Sequence, residues 1–242
     1  MSSQISVNIR TSRDFSLEQI LLALSEWFSP WMGSVEFEET FCGRKEVAVS
    51  GPLERVIRAA FAKGASEPSL DHEEFRASGS QGVTISAVRR YSDRSIGGDG
   101  VFLGIDLDQM PELCGNAKNC NQLFQSFSGF VAQAGKGYGY ACLETNSGFF
   151  SDSQFQHRAS TLMTECGTLD WLRWITFYDH KSFGSISPRV QFDKLPMLKA
   201  TTIQSGVLLM LKQSPLDLRN AEDLMLYCEM LRVLRLSKVT RF

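Results

Sequence analysis

The sequence lacks several features that would point directly to a function. Its 242 residues carry a formal net charge of −2 at pH 7, so there is no basic excess to draw the protein onto nucleic acid or anionic lipid. The longest apolar runs, such as residues 207–211, are far too short to span a membrane. The first residues are polar and show no signal-peptide pattern. We therefore expect a cytoplasmic protein that binds neither nucleic acid nor membranes.

Cysteine and histidine are scarce and scattered. The six cysteines are spread along a chain long enough to fold without disulfides, so we expect reduced and mostly buried thiols. No group of cysteines and the three histidines has the local spacing of a zinc site. His72 and Glu73 begin like a metalloprotease motif, but Arg76 occupies the position of the second histidine. No metal or other cofactor is expected.

The short motifs of common enzymes are also missing. No Gly-x-Ser-x-Gly turn carries a nucleophilic serine, and the segment 135–137 lacks the Ser or Thr of a phosphate-binding loop. These absences predict that the protein is not an enzyme. A Cys–His pair or a pair of carboxylates would meet in space rather than in sequence, so a small enzyme of this kind stays open as an alternative.

The apolar residues recur with the periods of both strands and helices. Hydrophobic residues make up 43% of the chain and charged residues 21%, which is typical of a folded globular protein. Period-two alternation or short apolar runs predict strands near residues 5–9, 35–37, 83–87, 101–105, 138–143 and 200–212. Helical spacing predicts helices near residues 17–28, 53–61, 123–131 and 220–234.

Local signals mark where some of these elements begin and end. Ser16 and Gln19 form a capping-box pattern at the start of the first helix, and Pro30 is expected to end it. Gly135 is expected to close the third helix, and Asn220 to cap the last. The polar stretch 65–82 is interpreted as a loop or a short helix. No repeat or linker divides the chain, which predicts a single α+β domain over residues 1–242, with helices on one face of a largely antiparallel or mixed sheet.

Acidic residues gather near residues 36–39, 71–74 and 106–112. Such groups are most often solvated turns, but a local negative patch also steers association with a basic partner. From these groups we select candidate contacts with a protein partner, namely Glu36, Glu38, Asp71, Glu73 and Glu74.

The last third of the chain carries a series of motifs in a fixed order. They are the segment from Trp171 through Trp174 to Ile175, then Leu195-Pro196, then Gly206 with the apolar run to Leu211, then Pro215 and the helix from Asn220. Over about residues 169–236 this series resembles the family called immunity protein fifty-two, whose members are encoded beside polymorphic toxins and type VI secretion effectors. Asp170 stands where the family pattern has glycine.

The resemblance implies a protein that binds a cognate antibacterial toxin in the producing cell and neutralises it by occlusion. The expected toxin is a restriction-endonuclease-like nuclease, whose substrate cleft must be positively charged, so the acidic residues above are the candidate contacts. The motif residues themselves are typical of core and turn positions. Besides the small enzyme, a scaffold without a toxin partner stays open as a third hypothesis, and so does a homodimer.

Overall fold

The computed structural model describes residues 4–62, 72–90, 99–109, 116–143, 173–186 and 199–233. Within these ranges the chain forms ten strands and five α-helices. In chain order they are β1 (Gln4–Thr11), α1 (Leu17–Met32), β2 (Phe37–Cys42), β3 (Lys45–Glu46), α2 (Leu53–Ala62), β4 (His72–Gly79), β5 (Val83–Arg90), β6 (Gly100–Asp106), α3 (Ala117–Ala134), β7 (Gly135–Leu143), β8 (Ile175–Asp179), α4 (His180–Ile186), β9 (Lys199–Ile203), β10 (Gly206–Met210) and α5 (Ala221–Val233). None of the described helices is long and apolar enough to cross a membrane.

The ten strands pair into one antiparallel sheet in the order β3-β2-β4-β5-β6-β1-β7-β8-β10-β9. Strand β1 lies near the centre, where Val7 pairs with Leu103 of β6 and with Ala141 of β7. Ile5, Val7 and Ile9 are buried because alternate residues of a strand point to the same face, and this face is covered by helices. The predicted α+β fold with helices against an antiparallel sheet is confirmed.

Helices α1, α2 and α3 cover one face of the sheet, with α1 in contact with both of the others. The predicted capping box starts α1, because Ser16 Oγ accepts a hydrogen bond from the Gln19 backbone and the Gln19 side chain accepts one from the Ser16 backbone. Leu21, Leu24 and Phe28 of α1 are fully buried. Burial of one such side chain contributes about 1.5–3 kcal/mol, so this apolar side holds the helix on the sheet.

The prediction that Pro30 ends α1 is wrong, since the helix continues to Met32. A proline in a helix removes one backbone hydrogen bond, but it does not prevent the last turn from forming when other contacts hold it. Trp31 and Met32 are both buried, and the Trp31 indole donates a hydrogen bond to Ser126 Oγ of α3 at 3.2 Å. Packing against α3 therefore outweighs the missing bond.

The interpretation of residues 65–82 as a loop or short helix is wrong for residues 72–79, although residues 80–82 do form a short 3₁₀ helix. Residues 72–79 form β4, which pairs with β2 on one side and with β5 on the other. Only Phe75 and Ala77 of β4 are buried, while polar residues occupy most other positions. Backbone pairing on both edges stabilises this strand, so it forms despite a polar sequence.

The described motif residues of the last third occupy core and turn positions. Trp174 is buried and its indole donates a hydrogen bond to the Lys212 carbonyl at 2.9 Å. Gly206 starts β10 where a Cβ atom would lie 2.0 Å from the Tyr178 carbonyl oxygen, so only glycine fits. Pro215 is buried, and the Asn220 side chain caps α5 as predicted, accepting from the Glu222 backbone at 2.8 Å. The other motif residues, Trp171, Leu195 and Pro196, lie outside the described residues.

Candidate functional site

A groove of about 610 Å³ runs along the outer surface of the three-helix layer. Helix α1 supplies more of its lining than α2 or α3, and the start of α2 and the end of α3 border it. We call this surface the helix groove and define it by Leu22, Glu26 and Ser29 of α1, Glu54 and Arg58 of α2, and Gln133 of α3. Its volume lies in the range of sites that accept small molecules or side chains of a partner.

The floor of the helix groove along α1 is formed mainly by small side chains. Ala23, Ser25, Ser29 and Gly33 all line the helix groove, and Leu22 is a larger apolar side chain among them. Leu22 is half-buried, so part of its surface stays available for contact. The arrangement can accept an apolar side chain against α1 and polar groups at the borders.

Trp27 stands beside the helix groove in a fixed position. Its side chain is 39% exposed, although the next residue, Phe28, is fully buried. The indole covers Gly129 of α3, where a Cβ atom would lie only 2.1 Å from the ring, and Nε1 donates a hydrogen bond to Gln133 Oε1 at 2.7 Å. Because Gln133 itself lines the groove, Trp27 is anchored at its border with a substantial part of its ring in solvent.

The charge of the helix groove is negative along α1. The helix contains Glu18 and Glu26 but neither lysine nor arginine. Glu54 and Arg58 of α2 form an exposed ion pair at 2.8 Å and offset each other. Glu26 is exposed and forms no ion pair within the part of the chain that the structure describes. The uncompensated charge of the groove is therefore that of Glu26.

Two of the acidic residues selected from the sequence lie close to one end of the helix groove. Glu36 lies three residues after Gly33, which lines the groove just past the end of α1. The Glu36 backbone donates a hydrogen bond to Ser80 Oγ and accepts one from the Ser80 backbone. Glu38 lies where the pairing of β2 with β4 is irregular. Both carboxylates are exposed. Glu36 and Glu38, two residues apart in sequence, thus both lie beyond the end of α1.

The structure separates the other selected acidic residues from this pair. Glu73 lies six residues along β4 from Gly79, the partner of Phe37, and this corresponds to about 20 Å. Glu73 and Glu74 are neighbours in a strand and point to opposite faces. Glu74 is neutralised by Arg76, whose guanidinium lies 2.6 Å from its carboxylate. Asp71 lies outside the described residues.

Two of the described thiols lack the character of a nucleophile. Cys42 and Cys120 are buried, and burial raises the pKa of both thiols, with Glu73 adding to the effect at Cys42. A nucleophilic cysteine needs a lowered pKa, so these two residues do not favour the enzyme hypothesis. His180 is exposed, with its ring nitrogen 2.9 Å from the Gln204 carbonyl. Among the described residues, no three His, Cys, Asp or Glu side chains could hold a metal ion together.

A cluster of tyrosines joins β7 to β8. The ring of Tyr138 lies 5.7 Å from that of Tyr140 and 5.6 Å from that of Tyr178. The Arg173 guanidinium lies 5.6 Å above the Tyr140 ring, a cation–π geometry. Burial raises the pKa of Tyr138 and Tyr178, so both stay neutral and act as packing groups at physiological pH.

Sequence reasoning missed the helix groove because its signals are not local. The apolar spacing of α1 includes Trp27 among the core residues, whereas the structure leaves it partly exposed. The only sequence signal was a small residue, Gly129, at a position of α3 where a ring from another helix could fit. Comparison with known proteins found no matching family model, no matching curated protein and no matching solved structure. Function is therefore inferred from the motifs and surfaces of this chain.

Proposed function

We propose that this protein is an immunity protein, which binds a cognate antibacterial toxin and neutralises it by covering the surface that the toxin needs. The motifs between Trp171 and Asn220 support this proposal through their resemblance to the immunity protein fifty-two family. The structural observation that supports it best is a preformed surface, the helix groove with Trp27 at its border. Aromatic side chains in such positions dominate the energetics of many protein interfaces.

The helix layer has the rigidity that an inhibitor needs. Three interactions between α1 and α3 fix its shape, namely the Trp27–Gln133 and Trp31–Ser126 hydrogen bonds and the edge-on contact of Phe28 with Phe130. Side chains that are already ordered lose little conformational entropy on binding. The free energy of contact with a partner is therefore offset only slightly by the cost of ordering these side chains.

The helix layer is also large enough for a stable complex. Helices α1 and α3 have 16 and 18 residues, which corresponds to lengths of about 24 and 27 Å. A standard interface buries about 800 Å² on each partner, an area of similar dimensions. The layer alone can accommodate such an interface.

The expected partner is a nuclease of the restriction-endonuclease-like type, met in the cytoplasm of the cell that makes both proteins. A DNA-cleaving enzyme carries a positively charged cleft, which an acidic inhibitor surface complements. Among the selected contact candidates, Glu36 and Glu38 are exposed, whereas Glu74 is paired with Arg76. Glu36 and Glu38 are accordingly the favoured acidic contacts of the set.

Co-expression with the product of the neighbouring gene tests the proposal. Cells that make the toxin alone should stop growing, and cells that also make this protein should grow and yield a complex of the two chains. An unrelated toxin, which this protein should not neutralise, serves as the control. The proposal is wrong if cells die although the folded protein accumulates and no complex can be isolated.

A further inference from the structure

We infer that the helix groove is the surface that receives the toxin, and that its occupant is a cationic segment with an apolar side chain at its centre. The inference rests on the proposed function and deepens it, because it names the contact surface and the chemistry of the partner. Three features of the described residues support it: an anchored aromatic ring, an apolar lining and an uncompensated negative charge.

Trp27 provides the anchor. A tryptophan with 39% of its side chain exposed leaves a large ring available for contact, and Trp is among the residues most enriched at the energetic centres of interfaces. The contact with Gly129 and the hydrogen bond to Gln133 hold the indole in one orientation. A partner that covers the ring therefore gains its apolar area without the cost of ordering it.

Leu22 and the small residues around it provide the apolar contact. The small side chains of Ser25 and Ser29 leave room above α1 that a partner side chain can enter. Phe15 adds a second half-buried ring at the start of the helix. The occupant therefore presents an aliphatic or aromatic side chain to Leu22, and a neighbouring part of the same segment covers Trp27 at the border of the groove.

Glu26 determines the charge of the occupant. It adjoins Trp27 in sequence, and α1 offers no lysine or arginine to offset it. Arg58, a cation that lines the helix groove, is paired with Glu54. Glu36 and Glu38 extend the negative charge beyond the end of α1. A lysine or arginine on the occupant would meet an unpaired carboxylate, whereas an acidic segment or a nucleic acid would be repelled.

A second copy of this chain is a less favourable occupant. Two copies related by a twofold axis through the helix groove would bring identical surfaces together. The Glu26 carboxylate of one copy would then face the same acidic surface of the other, where Arg58 is already paired with Glu54. Like charges that meet in an interface oppose association.

Binding measurements with matched variants test the inference. The probe is the neighbouring gene product, carrying a substitution that abolishes its toxicity. Trp27→Ala and Glu26→Lys alter the helix groove, and Phe41→Ala and Glu46→Lys are the controls. Phe41 has the same exposed fraction as Trp27, 39%, and pairs with Glu46 at the β2–β3 edge of the sheet.

Trp27→Ala should weaken affinity about thirtyfold or more, mainly through faster dissociation, because hot-spot tryptophans contribute at least that factor. Glu26→Lys should slow association, and the difference from the unchanged protein should shrink as salt is added. The two controls should stay within about twofold of the unchanged protein. Unfolding curves, together with Trp27→Phe as a milder variant, show whether a loss of binding reflects a loss of folding.

The outcomes separate this inference from the proposed function. If the groove variants bind and neutralise the toxin as the unchanged protein does, the groove assignment is overturned and the immunity function stands. If the unchanged protein does not bind the toxin, the proposed function fails first. If the free protein is a dimer that Trp27→Ala converts to a monomer, with toxin affinity unchanged, the occupant is a second copy and the inference is wrong.

Discussion

Gly129→Ala is expected to have opposite effects on stability in two backgrounds, because the position of Trp27 determines whether a methyl group fits. A Cβ atom at Gly129 would lie 2.1, 2.3 and 2.4 Å from three carbons of the indole ring. Carbon atoms in contact are about 3.5–4.0 Å apart, so the ring would have to retreat by about 1.4 Å or more. That movement would break the 2.7 Å hydrogen bond from Trp27 to Gln133.

The expected magnitudes follow from these contacts. Overpacking of this kind costs about 1–3 kcal/mol, and replacement of glycine by alanine inside a helix returns about 1 kcal/mol. The substitution should therefore leave the protein up to about 2 kcal/mol less stable when Trp27 is present. With Trp27→Ala already made, the clash is gone and Gly129→Ala should stabilise the protein by about 0.5–1 kcal/mol.

Guanidinium chloride unfolding of the unchanged protein, both single variants and the double variant measures this coupling. The slopes of the unfolding free energy against denaturant should be the same for all four proteins. The coupling between the two positions should be about 1–3 kcal/mol. If the two effects add within about 0.5 kcal/mol, the indole does not cover Gly129 and the described border of the helix groove is incorrect.

Three further predictions concern the rest of the fold. Gly206→Ala should lower the free energy of unfolding in urea by about 3 kcal/mol or more, because its Cβ would lie 2.0 Å from the Tyr178 carbonyl oxygen. Gly184→Ala is the control, since no atom lies within 4 Å of its Cβ, and it should change the free energy of unfolding by less than about 1 kcal/mol. Burial alone would raise the pKa of Asp179, but hydrogen bonds led by those from Ser182 lower it below the ordinary 3.8. Asp179→Asn should therefore destabilise the protein above pH 3.8, and this effect should disappear as the pH falls through the lower pKa of the folded state. If the stabilities of the variant and the unchanged protein differ by the same amount throughout an acid series, the prediction is wrong. Burial raises the pKa of Tyr178 above its ordinary 10.0, so stability should fall as the pH rises above 10, and Tyr178→Phe should reduce that loss in alkaline unfolding measurements.

Local rules were sufficient to predict many elements of this fold. The reciprocal hydrogen bonds of Ser16 and Gln19, and the cap at Asn220, depend on residues close in sequence, and both appear as predicted. Gly135 follows α3 at the predicted position. The alternation of Ile5, Val7 and Ile9 also identified a buried strand, because its period is set by the backbone alone.

The errors arose where distant contacts outweigh local preference. Strand β4 is polar, and its stability comes from β2 and β5, which no local pattern reveals. The last turn of α1 passes Pro30 because Trp31 packs against α3. The helix groove likewise depends on the relative placement of three helices, and a ring such as Trp27 can only be assigned to it once Gly129 is known to lie beneath.

The acidic residues show how far composition alone can define a site. Their sequence clusters suggested charge, but not which carboxylates share a surface. Glu36 and Glu38 are two residues apart in sequence, whereas the pairing of β2 with β4 places Glu73 about 20 Å along the strand from Gly79, the partner of Phe37. Strand alternation then separates Glu73 from Glu74, although they are adjacent in sequence. Strand pairing and strand alternation together define this arrangement, and composition contains neither.

Titration of the proposed toxin's DNA-cleaving activity with purified protein tests the central proposal most directly, namely that this chain neutralises a nuclease partner by binding. Cleavage should fall in proportion to the protein added, end at equimolar amounts, and leave a stable complex containing both chains unaltered. The account is contradicted if the toxin stays fully active in the presence of excess folded protein. It is also contradicted if one molecule of this protein inactivates many molecules of toxin, because that result would require catalysis.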